Sequence, residues 1–340
     1  MSLIVFDDSK IKKIKKRNEE GPEQQHDVVE ASKKAKGGSE LIYARVKERV
    51  PEDVWDYFQV ILSRVRELED KPRILWFQDT SQDPEVQFLK KKEERDKFDR
   101  FVFPSDWSLE KYNLDLGVEY EKSVVLKNAI EPIPAHAKPK KGPIRLAYIS
   151  TPHRGLDVLV AAFRAAKFEN VELDVYSSLK LYGWEKRDNT FEPLYDACRE
   201  TPNINYHGTV SNEKIRSALQ QTHILAYPCT YKETGCISAI EALSAGCVVV
   251  CPNLGVLPET CANFAWMYGY CEDKSEHARK FAYVLKDAID NFWETPVQTG
   301  LAFQKQYFDM HYDIDTIAKQ WAMMLKTIKD NMEQTKEKKS

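Results

Sequence analysis

Two glutamates, Glu233 and Glu241, stand eight positions apart in the segment KETGCISAIEALSAGC at 232–247, around the start of a predicted helix. A helix that begins at about Gly235–Cys236 places Glu233 just before its first turn and Glu241 inside it, beside an apolar arc. That arc consists of Cys236, Ile237, Ile240 and Leu243. A carboxylate at the border of the arc is partly desolvated and needs hydrogen-bond donors, which ligand hydroxyls or a structural arginine can supply.

The start of this helix has the chemistry of an anion site. The backbone N–H groups of Gly235, Cys236 and Ile237 lie at a helix N-terminus, where the dipole favours negative charge. Glu233 follows the predicted strand HILAYP (223–228), and ligands bind at the carboxyl ends of such strands. The segment therefore predicts a phosphate site between two hydroxyl acceptors. A nucleotide-sugar matches it, with charge on its diphosphate and hydroxyls on its ribose and hexose.

The elements around this segment alternate between strand and helix. This alternation, with strongly apolar strands, predicts a doubly wound parallel sheet. The predicted strands are IRLAYIS (144–150), VELDVYS (171–177), INYHG (204–208), HILAYP (223–228) and CVVVCP (247–252). The predicted helices are LDVLVAAFRAA (156–166), a stretch near 190–200, EKIRSALQQT (213–222) and the helix of the two glutamates, followed by tail helices at 276–291 and 303–330.

The first half is more polar at its start. LIVF (3–6) is a candidate strand, and KIKKIKKR (10–17) is either a solvated loop or helix or a functional basic patch. In KGGSELIYARVKERV (36–50), Ser39 is the expected N-cap of a helix. The two glycines before it either form a plain turn or present N–H groups to an anion. Further predicted strands are RILWFQD (73–79), FDRFVFPSDW (98–107) and VVLKNAI (124–130).

A chain of 340 residues suggests two domains. The segment EPIPAHAKPKKGP contains four prolines and no apolar periodicity, which is typical of a linker. The predicted boundaries are an N-terminal domain at 1–130, the linker at 131–143, a C-terminal domain at 144–310 and a C-terminal helix with a frayed tail at 311–340.

Composition excludes several classes of protein. A net charge of −3 gives no global attraction to nucleic acid or anionic membranes, and no apolar run approaches a membrane span of roughly 18 residues. The N-terminus MSLIVFDDSK is too short and too acidic for a signal peptide. All seven cysteines lie in the C-terminal half without a C-x-x-C pair, which favours buried thiols over a zinc or disulfide cluster. We expect a cytoplasmic protein without integral membrane contact.

The E-x7-E spacing of ETGCISAIE, followed by ALSAG, resembles the signature of retaining glycosyltransferases of the GT-B fold, the glycosyl transferases group 1 type. Further segments resemble this family in the same order and cover about 37–260, and more loosely the C-terminal helices. They are GGSE (37–40), FVFPSDWSLEKY with VVLKNAI, YISTPHRGLDVLVAAF (148–163), INYHGTVSNEKI (204–215) and NLGVLPE (253–259). The resemblance implies an α/β fold with two Rossmann-like, doubly wound parallel-sheet domains facing a cleft. A C-terminal helix would cross back to the N-terminal domain.

The resemblance also implies a role for each matching position. The implied catalytic residues are Glu233 near the donor sugar, Arg154 on the diphosphate, and Asp79, at a strand end where the family often has a histidine. Glu241 would hold the ribose hydroxyls. The other implied donor-binding residues are Gly235, Cys236, Ile237, Ser150, Thr151, Gly37, Gly38, Gly208, Thr209 and Val210, of which the last three would line the base.

The chain departs from the family pattern at the phosphate. Arg154 is present, but the companion arginine has no counterpart among Ser150, Thr151 and Pro152. Either Lys232 or Arg145 substitutes for it, or the hydroxyls of the loop contribute. Asp79 has the alternative role of capping the next helix. The N-terminal half is short for this fold, which leaves acceptor recognition less defined than donor binding.

The expected function is sugar transfer from a UDP-, GDP- or ADP-sugar to an acceptor hydroxyl, with retention and with neither metal nor cofactor. The alternatives are a non-catalytic nucleotide-sugar-binding protein, a sugar-nucleotide epimerase and a phosphorylase. The expected acceptor is a saccharide, with lipid, protein or modified DNA as alternatives. The expected assembly is a monomer or a homodimer.

Overall fold

The computed structural model describes residues 37–338, which form two compact units. The first unit contains Ile133–Lys232 and Ser238–Tyr307. The second contains Gly37–Pro132, the five-residue segment Glu233–Ile237, and residues 308–338. The candidate strand at 3–6 and the basic segment at 10–17 lie outside the described residues.

Ten strands and thirteen α-helices make up the described chain. The strands are β1 Gln59–Leu62, β2 Arg73–Trp76, β3 Arg100–Phe103, β4 Ser123–Val125, β5 Ile144–Ile149, β6 Val171–Tyr176, β7 Ile204–Tyr206, β8 Ile224–Ala226, β9 Val248–Pro252 and β10 Trp266–Tyr268. The helices are α1 Gly38–Arg49, α2 Glu52–Trp55, α3 Lys92–Arg95, α4 Asp106–Leu116, α5 Leu156–Ala166, α6 Glu185–Asp188, α7 Glu192–Arg199, α8 Asn212–Gln221, α9 Ile237–Ser244, α10 Leu257–Cys261, α11 Lys274–Asn291, α12 Thr295–His311 and α13 Ile314–Glu337.

The first unit is built on a six-stranded, fully parallel sheet in the order β10-β9-β8-β5-β6-β7. Every residue of β9 is buried, as expected for a parallel strand covered on both faces. Helix α5 buries eight of its eleven residues and packs against α11. The carboxyl ends of β5 and β6 lie side by side, because Ile149 pairs with Tyr176.

The second unit is built on a four-stranded parallel sheet in the order β1-β2-β3-β4. Successive residues of β2 face opposite sides, so that Ile74 and Trp76 enter one apolar cluster and Leu75 enters another. The C-terminal helix α13 covers the first cluster, where the Trp321 ring lies 4.4 Å from that of Trp76. It also packs against α1, where Arg49 Nε donates to Asp315 at 2.8 Å. The C-terminal helix therefore belongs to the unit of the N-terminal half, as predicted.

Several predicted elements differ in detail. Helix α1 begins at Gly38 with Gly37 as its N-cap, so Ser39 lies inside the helix and the predicted Ser39 cap is wrong. Glu40 takes over the capping role, since its carboxylate interacts with the N–H of Gly37. Helix α9 begins at Ile237, later than expected. Strands β1 and β10 were not predicted, and the expected tail helix at 303–330 is two helices, α12 and α13.

The cysteines of the described chain are free thiols, and all are buried except the partly buried Cys271. Within residues 37–338, no group of three or more His, Cys, Asp or Glu side chains is arranged to hold a metal ion. Over the same residues, no helix combines the length and the apolar character that crossing a membrane requires.

Candidate functional site

Glu241 is the most deeply buried of the predicted site residues that carry charge, with 3% of its surface exposed. Helix α8 provides its partners: Asn212 Nδ2 donates to Glu241 Oε1 at 3.1 Å, and Arg216 Nη1 lies 3.7 Å from the same oxygen. The two partners are four positions apart and therefore share one face of α8. Of the two donor sources considered from the sequence, the structural arginine is the one present here. The i, i+4 spacing in SNEKIR was the available signal for this pair.

The loop after β5 holds the predicted phosphate-binding residues Ser150, Thr151 and Arg154. A short 3-10 turn, Pro152–Arg154, presents the arginine, and its guanidinium carbon lies 4.7 Å from the centre of the Tyr231 ring. Ser150 Oγ is 3.4 Å from the hydroxyl of the buried Tyr227. Thr151 Oγ1 is buried, and it has no hydrogen-bond partner within the described part of the chain.

Gly155 closes this turn at a φ of +106°, a left-handed conformation that favours glycine. A Cβ at this position would lie 2.1 Å from the carbonyl oxygen of Pro228. The turn that carries Arg154 therefore packs its backbone directly on the loop that follows β8.

His153, next to Arg154, is held neutral. Burial, reinforced by the positive charges of Arg154 and Arg187, lowers the pKa of His153 to about 3. Its Nδ1 is buried without a hydrogen-bond partner among residues 37–338. Arg187 follows β6, the strand next to β5, so two basic residues approach this part of the sheet edge from neighbouring strands.

Lowering the pH from 7.5 to 4.5 is expected to destabilise the wild-type protein more than the His153→Gln variant. An unfolded histidine binds a proton near pH 6.5, whereas folded His153 binds one only near pH 3. The stability that the neutral ring contributes is therefore complete above pH 6.5 and is lost as the pH falls towards 3. Unfolding free energies of the two proteins should diverge by about 1.4 kcal/mol per pH unit below pH 6.

Unfolding curves at four pH values measure this divergence. His223 and His277, whose pKa values burial also lowers, are present in both proteins and cancel in the comparison. Parallel pH dependences for the wild type and the variant would contradict the prediction.

The predicted base-lining residues Gly208, Thr209 and Val210 follow β7 and are not fully buried. Gly208 adopts a φ of +64°, which turns the chain away from the strand. The Tyr206 hydroxyl, which donates to the backbone oxygen of Ser177 at 2.8 Å, fixes the strand end below it. This segment and Glu241 belong to the same unit, because α8 begins two residues after Val210 and carries the partners of Glu241.

Glu233 lies in the second unit and is also buried, with 6% of its surface exposed. The two residues after it are held by hydrogen bonds to groups near the carboxyl ends of β2, β3 and β4. Thr234 Oγ1 donates to Gln78 O at 2.7 Å, and Ser105 Oγ donates to Thr234 O at 2.8 Å. Asn128 Nδ2 donates to Gly235 O at 2.8 Å.

Close packing explains two of the predicted site glycines. A Cβ on Gly38 would lie 2.7 Å from Cδ1 of Ile237, and a Cβ on Gly235 would lie 2.6 Å from Nδ2 of Asn128. Both glycines are therefore closely packed against side chains of the second unit, and a larger residue at either position would require those side chains to move. Gly37 is buried at the N-cap of α1, and Cys236 is buried beside Ile237.

Asp79 follows β2 in a cluster of charges. Arg64 Nε lies 3.8 Å from Asp79 Oδ2, and its Nη2 lies 3.7 Å from Asp83 Oδ2. Burial raises the pKa of Glu40, and Asp79 raises it further, while hydrogen bonds from backbone N–H groups and the charge of Arg64 act in the opposite direction. Asp79 does not cap the 3-10 helix Pro84–Lys90 that follows it, because Asp83 accepts from Glu85 N and fills that position.

The predicted site residues thus divide between the two units. Arg154, Ser150, Thr151, Gly208 to Val210 and Glu241 lie in the first, and Gly37, Gly38, Asp79 and Glu233 to Ile237 lie in the second. Of the two substitute cations considered, Arg145 lies near the start of β5, at the end opposite to Arg154, and Lys232 is exposed. Residues that the sequence did not single out are the partners Asn212, Arg216, Tyr231, Asn128 and Arg64.

Comparison with known protein families identifies a match in the C-terminal part of the chain. Residues 133–300 match the profile of the family described as glycosyl transferases group 1. Residues 133–300, about half of the chain, therefore belong to the glycosyl transferases group 1 family. The matched region contains Arg154, Gly208 to Val210, Glu233 and Glu241, which includes both glutamates of the E-x7-E segment.

A curated relative of this protein is O-antigen chain mannosyltransferase B of Escherichia coli, which is 29% identical over 126 residues. That alignment covers 37% of this chain and only 31% of the mannosyltransferase, so it spans about a third of the relative's length.

Similarity to solved structures confirms the fold of this protein. A glycosyltransferase from Rickettsia africae has a TM-score of 0.65 at 13% identity, over 89% of this chain and 85% of its own. HepE from Anabaena, in complex with UDP and glucose, has a TM-score of 0.59 at 16% identity, over 76% of this chain and 72% of its own. The two parallel sheets and these similarities confirm the predicted GT-B architecture.

Proposed function

We propose that the protein is a retaining glycosyltransferase that moves a sugar from a nucleoside-diphosphate-sugar to an acceptor hydroxyl. The observation that carries the proposal is the burial of both E-x7-E carboxylates inside the matched family region. Buried carboxylates are stabilised by hydrogen-bond donors, and the hydroxyls of a nucleotide-sugar are such donors. The complex of HepE with UDP and glucose supports the same ligand class.

In this proposal, the donor is bound by charge at one end and by hydroxyls along its length. Arg154 meets the diphosphate, with the backbone N–H groups of Gly235, Cys236 and Ile237 as further donors. Ser150 and Thr151 add hydroxyls, and Thr151 Oγ1 has capacity for such a bond. Glu241 accepts from the ribose hydroxyls.

The remaining predicted site residues contact the ends of the donor. Glu233 accepts from the donor sugar, and Gly208 to Val210 line the base. Gly37 and Gly38 approach the diphosphate, and Asp79, held by Arg64, contacts the reacting sugar or the acceptor.

The reaction breaks the bond between the anomeric carbon and the diphosphate oxygen and forms a bond from that carbon to the acceptor oxygen on the same face. The acceptor proton passes to the departing phosphate oxygen. Negative charge develops on the diphosphate as it leaves, and Arg154 with the preorganised N–H groups lowers the barrier by stabilising that charge. No general base from the protein is required.

Thermal-shift measurements with UDP, GDP, ADP and their sugars test donor binding, and release of the nucleoside diphosphate in acceptor mixtures tests transfer. Binding with release only when an acceptor is present supports the proposal. Binding without release would indicate a non-catalytic binding protein. Alteration of the donor in the absence of an acceptor would indicate an epimerase, and a requirement for inorganic phosphate would indicate a phosphorylase. We propose a saccharide acceptor first, and lipid, protein and modified DNA acceptors are separate arms of the screen.

Glu241→Gln is expected to weaken binding of the preferred nucleoside diphosphate by about tenfold. The amide keeps the size of the side chain but loses the charge that strengthens hydrogen bonds from ribose hydroxyls, worth about 1.5 kcal/mol. Calorimetric titration measures the dissociation constant. Glu169→Gln, which makes the same change at an exposed position of the same unit, is the control. Equal affinity of the wild type and Glu241→Gln for the nucleoside diphosphate would show that the charge of Glu241 does not contribute to binding.

A further inference from the structure

Tyr231 and Arg154 form a contact that the proposed chemistry does not by itself explain. The guanidinium carbon of Arg154 lies 4.7 Å from the centre of the Tyr231 ring, within the range of a cation–π interaction. The two residues are far apart in sequence and follow different strands, β5 and β8, which are neighbours in the first sheet. The contact therefore depends on the fold and is not a local consequence of sequence.

The two loops that carry this pair are joined at several further points. Gly155 packs on the carbonyl of Pro228, and Thr230 Oγ1 donates to His153 O at 3.4 Å. The His153 ring meets the Tyr231 ring edge-on, at 6.1 Å and 90°. Tyr231 is itself anchored, because its N–H donates to Cys229 Sγ at 3.4 Å. Both sides of the contact are thus fixed before any ligand arrives.

The geometry suits a guanidinium that must receive an anion. Stacking occupies the flat face of the group, whereas hydrogen bonds to phosphate use its edge. An aromatic face can therefore restrain an arginine without competing with phosphate for the same N–H groups. A long side chain that is already ordered loses less conformational entropy when the phosphate binds.

We propose that Tyr231 is a positioning residue that orders the Arg154 guanidinium for the diphosphate of the donor. The proposal rests on the proposed function in so far as Arg154 is the diphosphate cation. The ordering of Arg154 by the ring is a property of the ligand-free protein and is tested without any donor. His153, held neutral beside the pair, adds no second positive charge that would repel Arg154.

The first test uses arginine-labelled protein and NMR spectroscopy in the absence of ligand. A proton stacked on an aromatic ring is shifted upfield, so the Arg154 Hδ and Hε signals, assigned by their loss in Arg154→Lys, should lie upfield of typical arginines. Tyr231→Phe should keep this shift, and Tyr231→Leu and Tyr231→Gln should abolish it. An unshifted Arg154 signal in the wild type would overturn the inference, whatever the protein's activity.

The second test measures kcat and KM with the best donor. Tyr231→Phe should stay within about twofold of the wild type, while Tyr231→Leu and Tyr231→Gln should lower kcat/KM by about fivefold to tenfold. In an Arg154→Ala background, the same substitutions should have no further effect, because there is no guanidinium to order. Equal losses of kcat/KM in the wild-type and Arg154→Ala backgrounds would show that Tyr231 has a structural role and does not position Arg154. A loss in Tyr231→Phe as large as that in Tyr231→Leu would show the same.

A negative result for Tyr231 can be distinguished from a failure of the proposed function. If no nucleoside-diphosphate-sugar binds or reacts, the proposed function is lost, but the NMR result still decides whether Tyr231 orders Arg154. Tyr231→Leu and Tyr231→Gln differ in polarity, so that one of them remains for the comparison with Tyr231→Phe if the other misfolds. A lowered melting temperature identifies a misfolded variant.

Discussion

Gly155→Ala is expected to lower the free energy of unfolding of the first unit by about 2–5 kcal/mol and to abolish donor binding. Two effects add at this position. The left-handed φ of +106° costs a residue with a Cβ about 1–2 kcal/mol. The new Cβ would also lie 2.1 Å from the Pro228 carbonyl oxygen, a contact that forces backbone movement and costs about 1–3 kcal/mol.

Gly142→Ala separates these two effects. Gly142 has a similar φ of +88°, but a Cβ there would meet nothing within 4 Å. We therefore expect only the conformational cost of about 1 kcal/mol and unchanged donor binding. Denaturant unfolding of both variants measures the difference. If the two variants lose the same stability, the close approach of the two loops is not rigid and the prediction fails.

Most regular elements of the first unit were predictable because they have a local signal. The apolar run LDVLVAAFRAA predicted a helix at 156–166, and α5 spans Leu156–Ala166. Burial makes such strands and helices strongly apolar, and these apolar runs are visible in the sequence. Strands β1 and β10 lack this signal, and their pairing with β2 and β9 defines them.

The candidate site was predictable only in part, for a related reason. Glu241 stands out because a carboxylate at an apolar border needs a partner, but the partner could not be named, since Asn212 comes from another helix. Ser39 resembled an N-cap by residue type, yet Gly37 takes that position and Glu40 supplies the side chain that caps it. The pairing of Arg154 with Tyr231 depends on which strands are neighbours, which a single sequence does not reveal.

Chain topology explains why Glu233 and Glu241 differ in environment. Residues Glu233–Ile237 are held by Gln78, Ser105 and Asn128, so their positions depend on the sheet of the second unit. Glu241 is held by α8 of the first unit. We therefore expect substitutions of Asn128 to affect Glu233 more than Glu241, although the two glutamates lie on either side of one short helix start.

Arg154→Ala is expected to lower kcat by about 100-fold with a smaller change in KM. The physical reason is that charge on the diphosphate is greatest as the sugar leaves, so the cation stabilises the transition state more than the bound donor. Removal of one such preorganised donor typically costs about 10²–10³-fold in kcat. Arg154→Lys should recover part of the loss, because it restores the charge but not the planar group that stacks on Tyr231.

Arg145→Ala is the matched control, since Arg145 lies at the opposite end of β5 in the same unit. It should leave kcat within about twofold of the wild type, and this outcome would also exclude Arg145 as the companion phosphate cation. Steady-state rates of nucleoside diphosphate release, measured with the donor found by thermal shift, decide both points. Wild-type turnover by Arg154→Ala, in a protein that melts at the wild-type temperature, would show that another group carries the leaving phosphate. Arg187, which follows the neighbouring strand β6 and contributes to the low pKa of His153, is then the next arginine to substitute.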